Sequence, residues 1–96
     1  MEYNFLGRTG LHVSKICLGT FNFGRLTNEK NAHRIMDRAV DKGVNFFDTA
    51  NHYPDFVNCG RTESIIGRWI KNNKSKRDKI IIGTKVYQPM METDNP

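Results

Sequence analysis

Val44-Asn45-Phe46-Phe47-Asp48 is a short apolar run that stops on a carboxylate. Its β-branched and aromatic residues are those of a strand buried on both faces of a parallel sheet. A carboxylate at the end of such a strand is costly unless it is paired. Two other runs have the same character. Upstream, Ser14 to Thr20 contains Ile16, Cys17 and Leu18 and closes on Gly19. Downstream, Lys79 to Val86 carries three consecutive isoleucines, Ile80, Ile81 and Ile82, ahead of Gly83-Thr84-Lys85.

Helical periodicity fills the two gaps. Ala32, Ile35, Met36, Ala39 and Val40 fall at i, i+3, i+4, i+7 and i+8, one apolar stripe. Asn28 is the predicted N-cap, Glu29 sits in the first turn, and Gly43 is placed to stop the helix in a left-handed conformation. A second helix is predicted from about Glu63 to Asn72, with Thr62 capping it and Ile65, Ile66, Trp69 and Ile70 as its buried face. Ahead of the strands, two short apolar runs, Tyr3 to Leu6 and Leu11 to Val13, flank Gly7-Arg8-Thr9-Gly10 and predict a β-hairpin over about residues 3–13. The β/α units then occupy about residues 14–87. The polar tail from Gln88 to Pro96, with two prolines, is expected to fray.

Composition excludes several classes. Hydrophobic residues make up 38% of the 96-residue chain and charged residues 26%, which is globular and not disordered. No apolar run approaches the roughly 18 residues of a membrane span, and the N-terminus has no basic region followed by an apolar core. The expectation is a cytoplasmic protein with no membrane insertion. The net charge of +5 is concentrated in Arg68, Lys71, Lys74, Lys76, Arg77 and Lys79, opposed in that window only by Asp78. Only Trp69 interleaves with these charges, whereas base stacking wants more exposed rings. The window is read as a helix end and its solvated exit, and no nucleic-acid partner is expected. Cys17 and Cys59 fit neither a disulfide framework nor zinc spacing, and Cys17 is read as a buried thiol within its apolar run. His12, His33 and His52 stand at no metal-ligand spacing, so no metal is expected.

Strands alternating with helices argue for right-handed crossovers and a parallel sheet. The pattern alone leaves an open doubly wound sheet and a barrel as alternatives. Gly19-Thr20-Phe21-Asn22-Phe23-Gly24 lies where a nucleotide loop would lie but lacks the G-x-G-x-x-G spacing, and Arg25-Leu26 replaces the Lys and Ser/Thr of a Walker motif.

In either architecture ligands bind at the carboxyl ends of the strands. Asp48 ends one run, Lys85 lies near the end of another, and Tyr53 follows Asp48 in the loop leaving the same rim. If the two strands are neighbours they lie about 4.8 Å apart, so the Asp48 and Lys85 side chains can meet at the same rim. A phenol is a poor acid at neutral pH; a buried ammonium beside it favours the phenolate, and a carboxylate holds that ammonium in place. Such a phenol suits protonation of a carbonyl oxygen. An Asp–Lys pair that merely stabilises a strand end, with Tyr53 an ordinary loop aromatic, fits the spacing equally well.

Gly43-Val44-Asn45-Phe46-Phe47-Asp48-Thr49-Ala50-x-x-Tyr53, continuing to Gly60-x-Thr62-Glu63-x-x-Ile66-Gly67, resembles the signature of the aldo-keto reductases. Leu6-Gly7-Arg8-Thr9-Gly10-Leu11-x-Val13-Ser14, Leu18-Gly19-Thr20 with Phe23-Gly24, and Arg77-Asp78-Lys79 followed by Gly83-Thr84-Lys85-Val86 are similar to the same family. The resemblance implies an α/β fold, the N-terminal portion of a (β/α)8 TIM barrel, that binds NADP(H) and reduces a small-molecule carbonyl substrate. By motif position Tyr53 is the proton donor, Lys85 assists it, and Asp48 pairs with Lys85. Gly19, Thr20, Phe21 and Asp48 are placed beside the nicotinamide. Pro54 stands where the family commonly has glycine, with a longer loop to Gly60, and the family's catalytic histidine follows a fourth strand.

A closed barrel needs eight strands and typically about 250 residues. The chain holds about two and a half of the eight units and reads as a fragment inactive on its own. The alternative is a non-catalytic cofactor-binding or channel-associated subunit of the same fold; Asp48, Tyr53 and Lys85 together favour the enzyme. Oligomeric state does not follow from these residues.

Overall fold

The computed structural model describes residues 1–86, and the predicted frayed tail lies outside them. In chain order the elements are β1 (Tyr3–Phe5), β2 (His12–Ser14), β3 (Leu18–Gly19), α1 (Glu29–Asp41), β4 (Phe46–Asp48), α2 (Arg61–Asn72), α3 (Lys74–Arg77) and β5 (Ile81–Gly83). The hairpin pairs β1 with β2 antiparallel, and β3, β4 and β5 form a parallel sheet in that order.

Register sorts the sheet residues into two faces, because successive side chains point to opposite sides. Leu18, Phe47 and Ile82 are aligned across the strands and pack into the core with both long helices. Phe47, Ala32 and Met36 are fully buried there, and the Trp69 ring lies 5.7 Å from that of Phe47. Each large apolar side chain taken out of water contributes about 1.5–3 kcal/mol, which makes this cluster the main attachment of the helices to the sheet. The Trp69 Nε1–H donates to Asp37 Oδ1 at 2.8 Å, so the buried indole has a partner. Gly19, Asp48 and Gly83 are aligned on the opposite face, in line with one another.

α1 is bounded as its sequence predicts. Asn28 Oδ1 accepts from the Asn31 N–H at 2.9 Å, and Gly43 follows the helix at φ +90°. The Gly43 and Val44 N–H groups donate to Val40 and Ala39 carbonyls at 3.0 and 2.9 Å, a Schellman closure. The Tyr3 hydroxyl donates to the Gly43 carbonyl at 2.7 Å, which seats the hairpin against this turn.

Several expectations need correction. Ser14 belongs to the hairpin, opposite Tyr3, and the first strand of the parallel sheet is only Leu18–Gly19. Cys17 is exposed and Ile16 is 61% exposed, because among the described residues the helices cover one face of the sheet and these residues are not on it. Ile35 is 40% exposed: Ala32 and Met36 centre α1 on the sheet, and the helical period turns Ile35 to the flank away from α2. Thr62 does not cap α2. The helix begins two residues earlier than predicted, with Gly60 at the cap position in a left-handed conformation and no side-chain cap bond. The basic segment after α2 is solvated as predicted, with no buried residue, but Lys74–Arg77 form a short helix, α3, in place of a loop.

Candidate active site at the strand ends

Asp48 is the last residue of β4, and its two register neighbours on that face, Gly19 and Gly83, carry no side chain. The carboxylate therefore stands clear of cross-strand side chains. Lys85 follows β5 by two residues and is fixed through its backbone, where its carbonyl accepts from the Asn51 N–H at 3.0 Å. From there the Lys85 ammonium donates to Asp48 Oδ1 at 2.9 Å, to the Thr49 carbonyl at 2.9 Å and to the Tyr53 hydroxyl at 3.3 Å. It lies 5.1 Å from the Tyr53 ring centroid. The three residues picked out by chemistry are thus brought to one point.

The Asp48 carboxylate is the main cause that holds the Lys85 ammonium above its ordinary pKa; partial desolvation works against it and the Tyr53 hydroxyl adds to it. The ammonium was expected to be buried. Instead the Lys85 and Asp48 side chains are 46% and 45% exposed, because nothing among the described residues covers this face of the sheet. Cys17, on the same side, has its thiol held above the usual range, first by partial desolvation and then by the Asp48 carboxylate. That environment opposes the thiolate a nucleophile needs.

The residues expected beside a cofactor separate into two kinds. Thr20 is fully buried; its N–H and hydroxyl both donate to the Asp48 carbonyl, at 3.2 and 2.8 Å, so it fastens the end of β4. Gly19 and Phe21 are open. A Cβ at Gly19 would meet nothing within 4 Å, and the Phe21 ring is 48% exposed and edge-on to Tyr53 at 5.2 Å. His52 also packs edge-on against Tyr53, at 5.0 Å. Among the described residues no group of three His, Cys, Asp or Glu side chains could hold a metal ion.

The loop after Tyr53 is built around buried Pro54 and an Asp55 turn. Asp55 Oδ1 accepts from the Asn58 N–H at 2.8 Å, and this bond is the main cause that holds the Asp55 carboxyl below its ordinary range. Arg25, in the loop after β3, lies 3.8 Å from Asp55 and links the two rim loops. Sequence reading did not find the Thr49 carbonyl, the Thr20 fastening or this link. A backbone acceptor has no residue-type signal, and a buried threonine hydroxyl has many possible partners.

A sequence profile of the Aldo/keto reductase family matches residues 15–96. The chain belongs to that family. It is 55% identical over 95 residues to the uncharacterized oxidoreductase YrpG of Bacillus subtilis, a match covering 99% of this chain and 29% of that protein. It is 37% identical over 97 residues to protein tas of Escherichia coli, covering 98% of this chain and 28% of the relative. Its fold overlays aldo-keto reductase AKR11C1 from Bacillus halodurans, solved in its holo form, with a TM-score of 0.77 at 33% identity, covering 99% of this chain and 29% of that one. The chain therefore spans under a third of the length of these aldo-keto reductase relatives. The solved relatives are (β/α)8 barrels, and β3, β4 and β5 with α1 and α2 form part of such a barrel. Among the described residues no helix is long and apolar enough to cross a membrane.

Proposed function

We propose that this chain supplies the proton-donating part of an NADP(H)-dependent oxidoreductase that reduces aldehydes and ketones to alcohols. The observation that carries the reading is the Lys85 ammonium bridging Asp48, the Thr49 carbonyl and the Tyr53 hydroxyl. The Tyr53 O–H donates its proton to the substrate's carbonyl oxygen as negative charge develops there. The Lys85 ammonium stabilises the phenolate oxygen left behind, and Asp48 with the Thr49 carbonyl holds the ammonium in position. A structural pairing alone would use Asp48 and Lys85 and would not need a phenol 3.3 Å from the amine. This favours the enzyme over a cofactor-binding subunit.

The open backbone at Gly19, the exposed Phe21 ring and the unobstructed Asp48 fit a planar nicotinamide at the end of β3. When bound, the cofactor supplies hydride to the carbonyl carbon. Tyr53→Phe in the full polypeptide that contains these residues is expected to lower kcat for aldehyde reduction about a hundredfold to ten-thousandfold, the range for losing a general acid. NADPH affinity, read by fluorescence quenching, should stay within about twofold. Wild-type turnover in Tyr53→Phe would refute the assignment.

A further inference from the structure

The first turn of α2 has unusual duties for a helix start. Gly60 provides no side-chain cap, and the fully buried Thr62 turns its hydroxyl away from its own helix to donate to the Phe23 carbonyl at 2.6 Å. The Thr62 N–H donates to the Tyr53 carbonyl at 3.3 Å. Next to it, Glu63 Oε2 accepts from the Thr84 hydroxyl at 2.8 Å, and Thr84 directly precedes Lys85. One helical turn thus holds the loop after β3, the backbone of Tyr53 and the segment that carries Lys85. These are the three pieces whose spacing sets the contact between phenol and amine.

We propose that Thr62, together with Glu63, is a positioning element for the reaction, fixing Tyr53 relative to Lys85 through backbone carbonyls and Thr84. The proposal rests on the functional reading above. Neither residue reaches the reacting atoms. Thr62 is suited to the task because both of its donors are committed to carbonyls of the rim loops; with a hydroxyl and an N–H on one residue, it ties the Phe23 and Tyr53 backbones together. A general acid displaced by about 1 Å loses on the order of a hundredfold in rate, so slack in this tie would act on kcat and leave binding in place.

The test uses the full polypeptide that contains these residues. Thr62→Val keeps the shape and removes the hydroxyl; Thr62→Ser keeps the hydroxyl. Thr84→Val, at an exposed position, removes the donor to Glu63 with little risk to folding. Kcat per correctly folded enzyme is expected to fall about tenfold or more in Thr62→Val and by a smaller factor in Thr84→Val. KM and the NADPH Kd should change less than about threefold, and Thr62→Ser should recover most of the rate. A purely structural role would lower Tm and the folded fraction equally but leave kcat per folded molecule unchanged. The proposal is overturned if that kcat stays within twofold of wild type in Thr62→Val, or in Thr84→Val where Thr62→Val does not fold. Tyr53→Phe, run alongside, separates the two failures. Normal turnover in Tyr53→Phe sinks the proton-donor reading, whereas an inactive Tyr53→Phe with an unimpaired Thr62→Val sinks only the positioning role.

Discussion

Lys85 is held from three sides, and its carboxylate partner makes that hold sensitive to pH. Asp48 raises the ammonium's pKa above its ordinary 10.5. A basic group whose folded-state pKa is raised contributes stability that is fully present below the unfolded value and is lost as pH rises through the folded one. Asp48→Asn is therefore expected to lower Tm from neutral pH up to about pH 10, with the gap to wild type closing above 10.5 as wild-type Lys85 loses its proton. The pair is nearly half exposed, so its worth is at most about 1 kcal/mol. A gap that stays constant through this range would show that the charge pairing contributes nothing to stability. At this scale the sequence was informative where side-chain chemistry is specific. A carboxylate ending an apolar strand, a lysine ending another and a tyrosine in the adjoining loop could be picked out as a group. It was uninformative where the partner is backbone: the Thr49 carbonyl takes one of Lys85's three hydrogen bonds, and the Asp48 carbonyl occupies both donors of Thr20.

Elements were legible in proportion to how local their determinants are. The ends of α1 are set by Asn28 and Gly43 acting on neighbouring backbone, and both behave as their residue types predict. The start of α2 was misplaced because the hydroxyl of Thr62 goes to a residue far away in sequence, Phe23, which no local pattern encodes. Ser14 was assigned to the wrong strand for a similar reason. Its N–H bonds Asn45 Oδ1 at 2.7 Å and its hydroxyl bonds the Ile16 carbonyl at 2.6 Å, so the chain turns between the hairpin and the sheet. Gly43 gives a sharp test. A Cβ there would lie 2.9 Å from the Tyr3 hydroxyl oxygen and 3.0 Å from Met1 Cβ, at a φ of +90°. Gly43→Ala should therefore cost about 1–3 kcal/mol in urea unfolding of the full polypeptide, from backbone strain and from loosening the Tyr3 tie. A loss below about 0.5 kcal/mol would mean that the hairpin is not seated on this turn.

As a whole, the described chain buries one face of a three-stranded sheet and leaves the other bare. Phe47 and its aligned neighbours are covered by α1 and α2, while Ile16, Cys17 and the Asp48–Lys85 pair face outward with no cover among the described residues. Barrel catalysis needs the opposite arrangement. Preorganised charges act strongly only where water is excluded, and hydride transfer needs a cofactor gripped along its length. The relatives' chains are more than three times as long as this match. Residues 1–96 alone are therefore expected to give no measurable NADPH oxidation with a reactive aldehyde, although Asp48 and Tyr53 lie within hydrogen-bonding distance of Lys85's amine. The same bare face, with β5 an open edge among the described residues and Val86 81% exposed beyond it, should make the isolated chain associate in sedimentation at micromolar concentration. The outcome that would contradict this is specific: a monodisperse chain with turnover that disappears in Tyr53→Phe. It would mean that residues 1–96 exclude enough water to run the reaction, and that the exposure of Lys85 in isolation is no obstacle to the proposed role.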